Sequence, residues 1–173
     1  MNRYFKDYAF LLGLGGIVVA LDQWTKWLVR TNIPFQQAWL PDFLVWLMPY
    51  ARIVHWSNSG AAFGSFQSGN SVFTILAIIV IGAILYYYPR VDASDWALRL
   101  AMGLQLGGAA GNLIDRLMAG TVTDFISIGN FAVFNVADSA ISVGVVVLVL
   151  GVWIKEKNDQ KKTPGAEADK SEE

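Results

Sequence analysis

The stretch NVADSAISVGVVVLVLGVWI, residues 135–154, decides the fold class. Beyond Asp138 it carries no further charge, and Val, Leu and Ile dominate it. At about 1.5 Å per residue, a helix of this length crosses the roughly 30 Å hydrocarbon core of a bilayer. An acid at the head of such a run is costly and is a functional candidate by default. Outward from this stretch the same pattern repeats: apolar runs cover about Tyr8–Val29, Ser71–Tyr88 and Trp96–Met118. Of the 173 residues 54% are hydrophobic, more than an ordinary soluble domain carries, and they are bunched into these runs. The expectation is a membrane all-α protein, a four-transmembrane-helix bundle within one domain over residues 1–154.

The first run has a competing reading. Its clean core, Phe10–Leu21, is short, follows Arg3 and Lys6 and ends near Ala20, as a cleavable signal peptide does. Asp22 and Lys26 continue it at helical spacing, which favours a span. In the less apolar third run, Gly103, Gly107 and Gly111 recur on one helix face, where small residues let backbones approach closely. Pro89 ends the second run behind the belt Tyr86-Tyr87-Tyr88. Arg90, Asp92 and Asp95 follow as a solvated loop.

Residues 30–68 are of another kind. Pro34, Pro41 and Pro49 break any long helix, and Trp39, Trp46 and Trp56 suit a membrane–water interface. Arg52–Trp56 is strand-like, and Asn58-Ser59-Gly60 signals a turn. The segment reads as an extramembrane platform. After the last run, residues 155–173 are charged and lack apolar periodicity, which predicts a disordered tail.

Four spans leave both termini on one side. Under that topology Arg3, Lys6, Arg90, Arg99, Lys155, Lys157, Lys161, Lys162 and Lys170 share one face, and only Lys26, Arg30, Arg52 and Arg116 fall at the other. The positive-inside rule makes the first face cytoplasmic, so both termini are expected there. Asp22, Lys26, Asn58, Asn112, Asp115, Arg116, Asp124, Asn135 and Asp138 then all gather near the outer leaflet.

Spacing refines the cluster. Asp22 with Lys26, and Asn112 with Arg116, share helix faces. Asn58 sits in a turn beside Gly60. Asp124 lies in the outer loop before the fourth run, and Asp138 lies just inside that run. Two acids that meet in a low-dielectric site cannot readily both ionise, and they can share one proton for acid/base chemistry. Each residue also has a plainer reading. Asp22 and Lys26 fit a structural ion pair, Arg116 a snorkelling side chain, and Asn112 and Asn135 interhelical hydrogen bonding. Asp115 reads as structural and His55 as interfacial or packed, while Asp124 and Asp138 also fit helix N-terminal caps.

With these residues in order, the sequence resembles the bacterial prolipoprotein signal peptidase family (signal peptidase II, lipoprotein signal peptidase). Asp22-Gln-Trp-Thr-Lys26, Asn58-Ser-Gly-Ala-Ala-Phe63 and Gly111-Asn-Leu-Ile-Asp-Arg116 are similar to its first three motifs. Val122-Thr-Asp124-Phe125 and Phe134-Asn-Val-Ala-Asp138 are similar to the last two. The resemblance runs over about residues 22–138 and leaves out the tail. It implies an intramembrane aspartyl endopeptidase of the bacterial cytoplasmic (inner) membrane, cutting signal peptides from diacylglyceryl-modified prolipoproteins just before the lipidated cysteine. Asp124 and Asp138 match the family's catalytic pair. Asp22, Lys26, Asn58, Gly60, Asn112, Arg116 and Asn135 match residues that bind substrate or support the site. The resemblance also implies a small extracytoplasmic β-cradle, supplied largely by residues 30–68, and inhibition by globomycin.

Composition sets the remaining bounds. Cysteine is absent, which excludes disulfides, thiolate nucleophiles and Cys-ligated metal sites. One histidine gives no basis for a His-rich metal site or a Ser-His-Asp triad. No metal or other cofactor is expected. Net charge is -1, so no field favours nucleic acid. The expected partners are lipid-modified prolipoproteins and membrane lipids, with the chain acting as a monomer. Without the resemblance two other classes stay open: a proton-coupled transporter, which also uses intramembrane acids, and a non-catalytic membrane scaffold.

Overall fold

The computed structural model describes residues 3–60 and 69–162. Four long helices dominate it: α1 (Arg3–Asn32), α2 (Gly69–Tyr87), α3 (Trp96–Ala119) and α4 (Val136–Lys162). Three strands, β1 (Ala38–Trp39), β2 (Ala51–Asn58) and β3 (Val122–Ile128), form one antiparallel sheet in the order β1-β2-β3. A 3-10 helix over Asp42–Leu47 links β1 to β2. Residues 61–63 of the motif that begins at Asn58, residues 61–68 of the expected platform and residues 163–173 of the expected tail lie outside the described residues.

Tyr8–Asn32, Asn70–Arg90 and Val136–Asn158 are long and apolar enough to cross a membrane. Their large side chains point outward: Ile17, Ile79 and Val149 are each 60% exposed. Such a surface is unfavourable in water and suits lipid. The remaining long helix, α3, does not reach that hydropathy, and its position explains why. It packs against α1, α2 and α4. Among its buried residues are Ala101, Gly103, Leu106, Gly107, Gly108, Gly111, Asn112 and Asp115. A helix surrounded by protein needs small, complementary residues more than lipid-soluble ones.

The glycines fall as their spacing suggests. A Cβ on Gly103 would lie 2.6 Å from Leu14 Cδ2, and one on Gly107 would lie 2.5 Å from Val18 Cβ, so this stripe faces α1. Gly108 faces α4 instead, where a Cβ would lie 2.5 Å from the Ala137 carbonyl oxygen. Gly120 ends α3 in the left-handed conformation at φ 73°, its N–H donating to the Arg116 carbonyl.

Three expectations change. The segment between α3 and α4 is not a loop: it supplies β3, which pairs with β2 through Trp56↔Asp124, Ser57↔Thr123 and Asn58↔Val122. Asp124 therefore sits on a buried strand. Asp95 is also more than a solvated acid. It caps α3 by accepting from the Leu98 N–H at 3.4 Å, and it pairs with Lys155 at 3.2 Å. The tail expected to be disordered from Lys155 is instead helical through Lys162, since Lys, Glu and Gln are good helix formers.

One core cluster, Leu11, Ile84, Tyr88, Met102 and Leu106, ties α1, α2 and α3 together at the end away from the sheet. A second, Val29, Ile33 and Phe125 with Ile53, Ile126 and Val136, seats the sheet on the ends of α1 and α4. His55 belongs to this seat: its Nδ1 lies 2.8 Å from the Ile33 carbonyl oxygen, and its ring meets Phe35 edge-on.

Candidate active site

The C-terminal ends of α1 and α3, the N-terminal end of α4 and the sheet converge at one end of the bundle. Asn135 is the junction. It immediately precedes α4, and it exchanges hydrogen bonds with Asp138. The Asp138 N–H donates to Asn135 Oδ1 at 2.9 Å, and the Asn135 N–H donates to Asp138 Oδ2 at 3.2 Å. This reciprocal exchange is a capping box with Asp in the acidic position. Asn135 Nδ2 turns the other way and donates to Asp124 Oδ1 at 2.7 Å and to Asn112 Oδ1 at 3.1 Å. Asn112 Nδ2 then donates to Asp138 Oδ1 at 2.8 Å. Asn135 thus bonds both acids, while Asn112 bonds Asp138 and the Asn135 side chain.

Asp124 is 1% exposed. Its second oxygen accepts from Asn58 Nδ2 at 2.9 Å, and the Gly60 N–H donates to Asn58 Oδ1 at 2.8 Å. Gly60 has φ 86°, a conformation that suits glycine. Burial raises the Asp124 pKa to about 6, helped by the Asp138 charge; the bonds from Asn58 and Asn135 and the Lys26 charge oppose this without cancelling it. Asp138 is only partly buried and faces a cleft of about 440 Å³ between α2, α3 and α4. Phe73, Leu76, Val80, Ile141 and Val145 line the cleft, with Gln105, Asn112, Arg116 and Asp138 as its polar members. A larger cleft of about 550 Å³ between α1 and the sheet, lined by Leu28, Val29, Ile33, Trp39, Ile53 and Phe125 among others, has no acid on its wall.

Beneath the asparagines lies a buried ionic cluster. Lys26, fully buried, pairs with Asp22 at 2.8 Å and Asp115 at 3.2 Å, and donates to Asn112 Oδ1 at 2.9 Å. Asp22 Oδ1 accepts from the Ala137 backbone N–H of α4 at 3.0 Å. Charge at this depth is tolerable only because every group is paired and hydrogen-bonded. The cluster orients Asn112, and Asn112 orients Asp138.

The sequence-derived residues divide accordingly. Asp22, Lys26, Asn58, Asn112, Asn135, Asp124 and Asp138 form one continuous network. Gly60 joins it through its backbone. Arg116 stands beside it, its guanidinium 5.4 Å from the Phe73 ring centroid. Asp115 joins the ionic cluster through Lys26 and Arg30, but Gln23, Arg30 and Thr123 were missed. Gln23 Nε2 donates to Asp22, Asp115 and the Gly111 carbonyl. Arg30 pairs with Asp115 at 2.8 Å and donates to Thr123 Oγ1 at 2.8 Å. Arg30 continues the helical spacing of Asp22 and Lys26, so the α1 face carried a signal. Thr123 carried none until its strand was known.

A family model described as Signal peptidase (SPase) II matches residues 14–154. The chain is 38% identical to the lipoprotein signal peptidase of Shouchella clausii over 157 residues, covering 90% of this chain and 99% of that protein. It is 40% identical to the lipoprotein signal peptidase of Geobacillus thermodenitrificans over 144 residues, covering 81% and 87%. A solved bacterial membrane enzyme, determined by the in meso method at 2.3 Å resolution, superposes with a TM-score of 0.76 at 27% identity, covering 90% of this chain and 93% of that one. With an acid pair and a membrane-suited bundle already in place, these likenesses establish the family: the chain belongs to the signal peptidase II peptidases.

Proposed function

We propose that this integral membrane protein is an aspartic endopeptidase that removes signal peptides from diacylglyceryl-modified prolipoproteins, with Asp124 and Asp138 as the catalytic pair. One observation carries the residue assignment: Asn135 bonds both carboxyl groups, and one of them borders an apolar cleft. The pair shares a proton, and its titration belongs to both groups together. In the free enzyme Asp124 holds that proton below about pH 6, since burial raises its pKa. Asp138, beside the cleft, takes a proton from the attacking water as the water oxygen bonds to the scissile carbonyl carbon. The Asp124 proton stabilises the developing oxyanion. As the C–N bond breaks, a carboxylic acid of the pair returns a proton to the leaving amine.

The other site residues serve this chemistry. Asn135 and Asn112 hold the two acids in register. Asn58 anchors Asp124, and Gly60 anchors Asn58. Asp22 and Lys26 hold Asn112 and the start of α4. Arg116 lies at the cleft, where it can bind substrate carbonyl groups. The apolar cleft wall suits the signal peptide or an acyl chain that stays in the bilayer. In this reading α3 is a fourth crossing, both termini are cytoplasmic, the sheet is a cradle at the outer leaflet, residues 155–173 extend into the cytoplasm, and one copy of the chain is sufficient.

The test is a gel-shift assay with purified, diacylglyceryl-modified precursor. Asp124→Asn and Asp138→Asn should each fold and each lower cleavage by about 10³-fold or more, the scale of general acid–base catalysis with an electrostatic component. Parent-level cleavage by either variant would remove the pair. Globomycin should compete with the precursor.

A further inference from the structure

We infer that Arg30 is a positioning residue for the Asp124 carboxyl group, acting through Thr123 and Asp115; the inference rests on Asp124 being half of the catalytic pair. Arg30 touches neither acid of the pair and does not line the cleft beside Asp138. It closes a ring instead. Its Nε donates to Thr123 Oγ1 at 2.8 Å, and its Nη2 lies 2.8 Å from Asp115 Oδ1. The other Asp115 oxygen accepts the Thr123 backbone N–H at 3.0 Å. Three elements, α1, α3 and β3, are joined at the residue immediately before Asp124.

The sheet alone fixes that point weakly. β3 pairs with β2 on one edge and only through the Ile126↔Phe134 bridge on the other, and the β2–β3 register shifts between Ile53 and Trp56, adjoining the Trp56↔Asp124 pair. Irregular pairing leaves a strand free to bend. Successive strand side chains point to opposite faces. Gripping Thr123 from the α1 side therefore sets the direction in which Asp124 reaches Asn58 and Asn135. The guanidinium suits the task because its planar fork presents two donors in fixed geometry to two acceptors. A lysine offers the charge without the fork. Asp115 is 1% exposed, so the ion pair that anchors the fork is shielded on the carboxylate side.

Thr123→Val and Arg30→Lys test this in the lipidated-precursor assay, with Asp124→Asn alongside. Thr123→Val removes the hydroxyl acceptor and keeps a β-branched strand residue. Displacing a reacting group by about 1 Å costs up to about 10²-fold in rate, so each variant should lose about tenfold in kcat. KM should stay within about twofold, because the cleft is untouched. Thr123→Ser, which restores the acceptor, should return kcat to the parent level. The double variant Arg30→Lys/Thr123→Val should fall no further than the weaker single variant, because both changes cut the same ring. Parent-like kcat in both single variants, losses confined to KM, or losses that multiply in the double variant would overturn the inference. Parent-level cleavage by Asp124→Asn would instead overturn the catalytic pair. An inactive Asp124→Asn beside parent-like Thr123→Val and Arg30→Lys would remove only the role of Arg30.

Discussion

At the residue scale, the site is built on charges that cannot leave. Lys26 is the hinge of the ionic cluster, shared by Asp22, Asp115 and Asn112. Replacing it with Met leaves Asp22 without a cation, and Asp115 keeps only Arg30. Removing one partner of a buried pair typically costs about 3–5 kcal/mol, so Lys26→Met should show a strongly lowered melting temperature in detergent and little residual cleavage. Asp124 gives a pH signature. Its pKa rises from 3.8 to about 6 in the fold, so between those values the folded state binds the proton more tightly than the unfolded chain. Stability contributed this way is present at low pH, is lost as pH rises through about 6 and is flat above. The full window corresponds to about 3 kcal/mol. Asp124→Asn lacks this titration, so its stability relative to the parent should improve by about that amount between pH about 4 and pH about 7 in denaturation experiments. The same proton is needed for chemistry. The alkaline limb of kcat/KM should fall near pH 6, and that of kcat should lie higher, because bound substrate desolvates the pair further.

At the element scale, close helix approach decides where the site residues stand. Gly107 meets α1 with no space to spare: an added Cβ would lie 2.5 Å from Val18 Cβ and 2.8 Å from the Gly15 carbonyl oxygen. Alanine is the better helix former by about 1 kcal/mol. Here the backbone oxygen cannot move aside without separating the helices, and overpacking of this kind costs about 1–3 kcal/mol. Gly107→Ala should therefore lower the melting temperature and, by shifting α1, also reduce cleavage. Gly13, with nothing near its Cβ position, provides the control: Gly13→Ala should be neutral or stabilising. The helices themselves were legible from length, hydropathy and small-residue spacing. Strand β3 was not. VTDFISI is a short apolar segment after a helix, and only its pairing with Ala51–Asn58 distinguishes a strand from a loop. The capping box was half legible, since Asn135 and Asp138 have the right spacing, yet spacing could not say that Asn135 also reaches Asp124.

At the scale of the whole molecule, the site residues gather at the sheet end of the bundle, where α1, α3, α4 and β3 meet. The proposed orientation can be checked directly, because the chain has no cysteine. Ala93→Cys, in the exposed link between α2 and α3, should be labelled by a membrane-impermeant thiol reagent only after the cytoplasmic side is opened. Asn130→Cys, in the exposed link between β3 and α4, should be labelled in intact cells. Labelling of both from the same side would exclude a crossing by α3.

Sequence alone determined the membrane-suited helices, the family and the residues gathered in the network, because hydropathy, spacing and ordered motifs are local properties of the chain. Tertiary structure decided what each of those residues touches. Asn135 became the link between two acids, Asp115 and Lys26 became the shared base of the site, Arg30 joined it where only helical spacing had pointed, and Thr123 entered it unannounced. The reason is physical: a hydrogen bond has a range of about 3 Å, and which groups come within that range depends on how helices far apart in the chain pack, not on the residues that flank them.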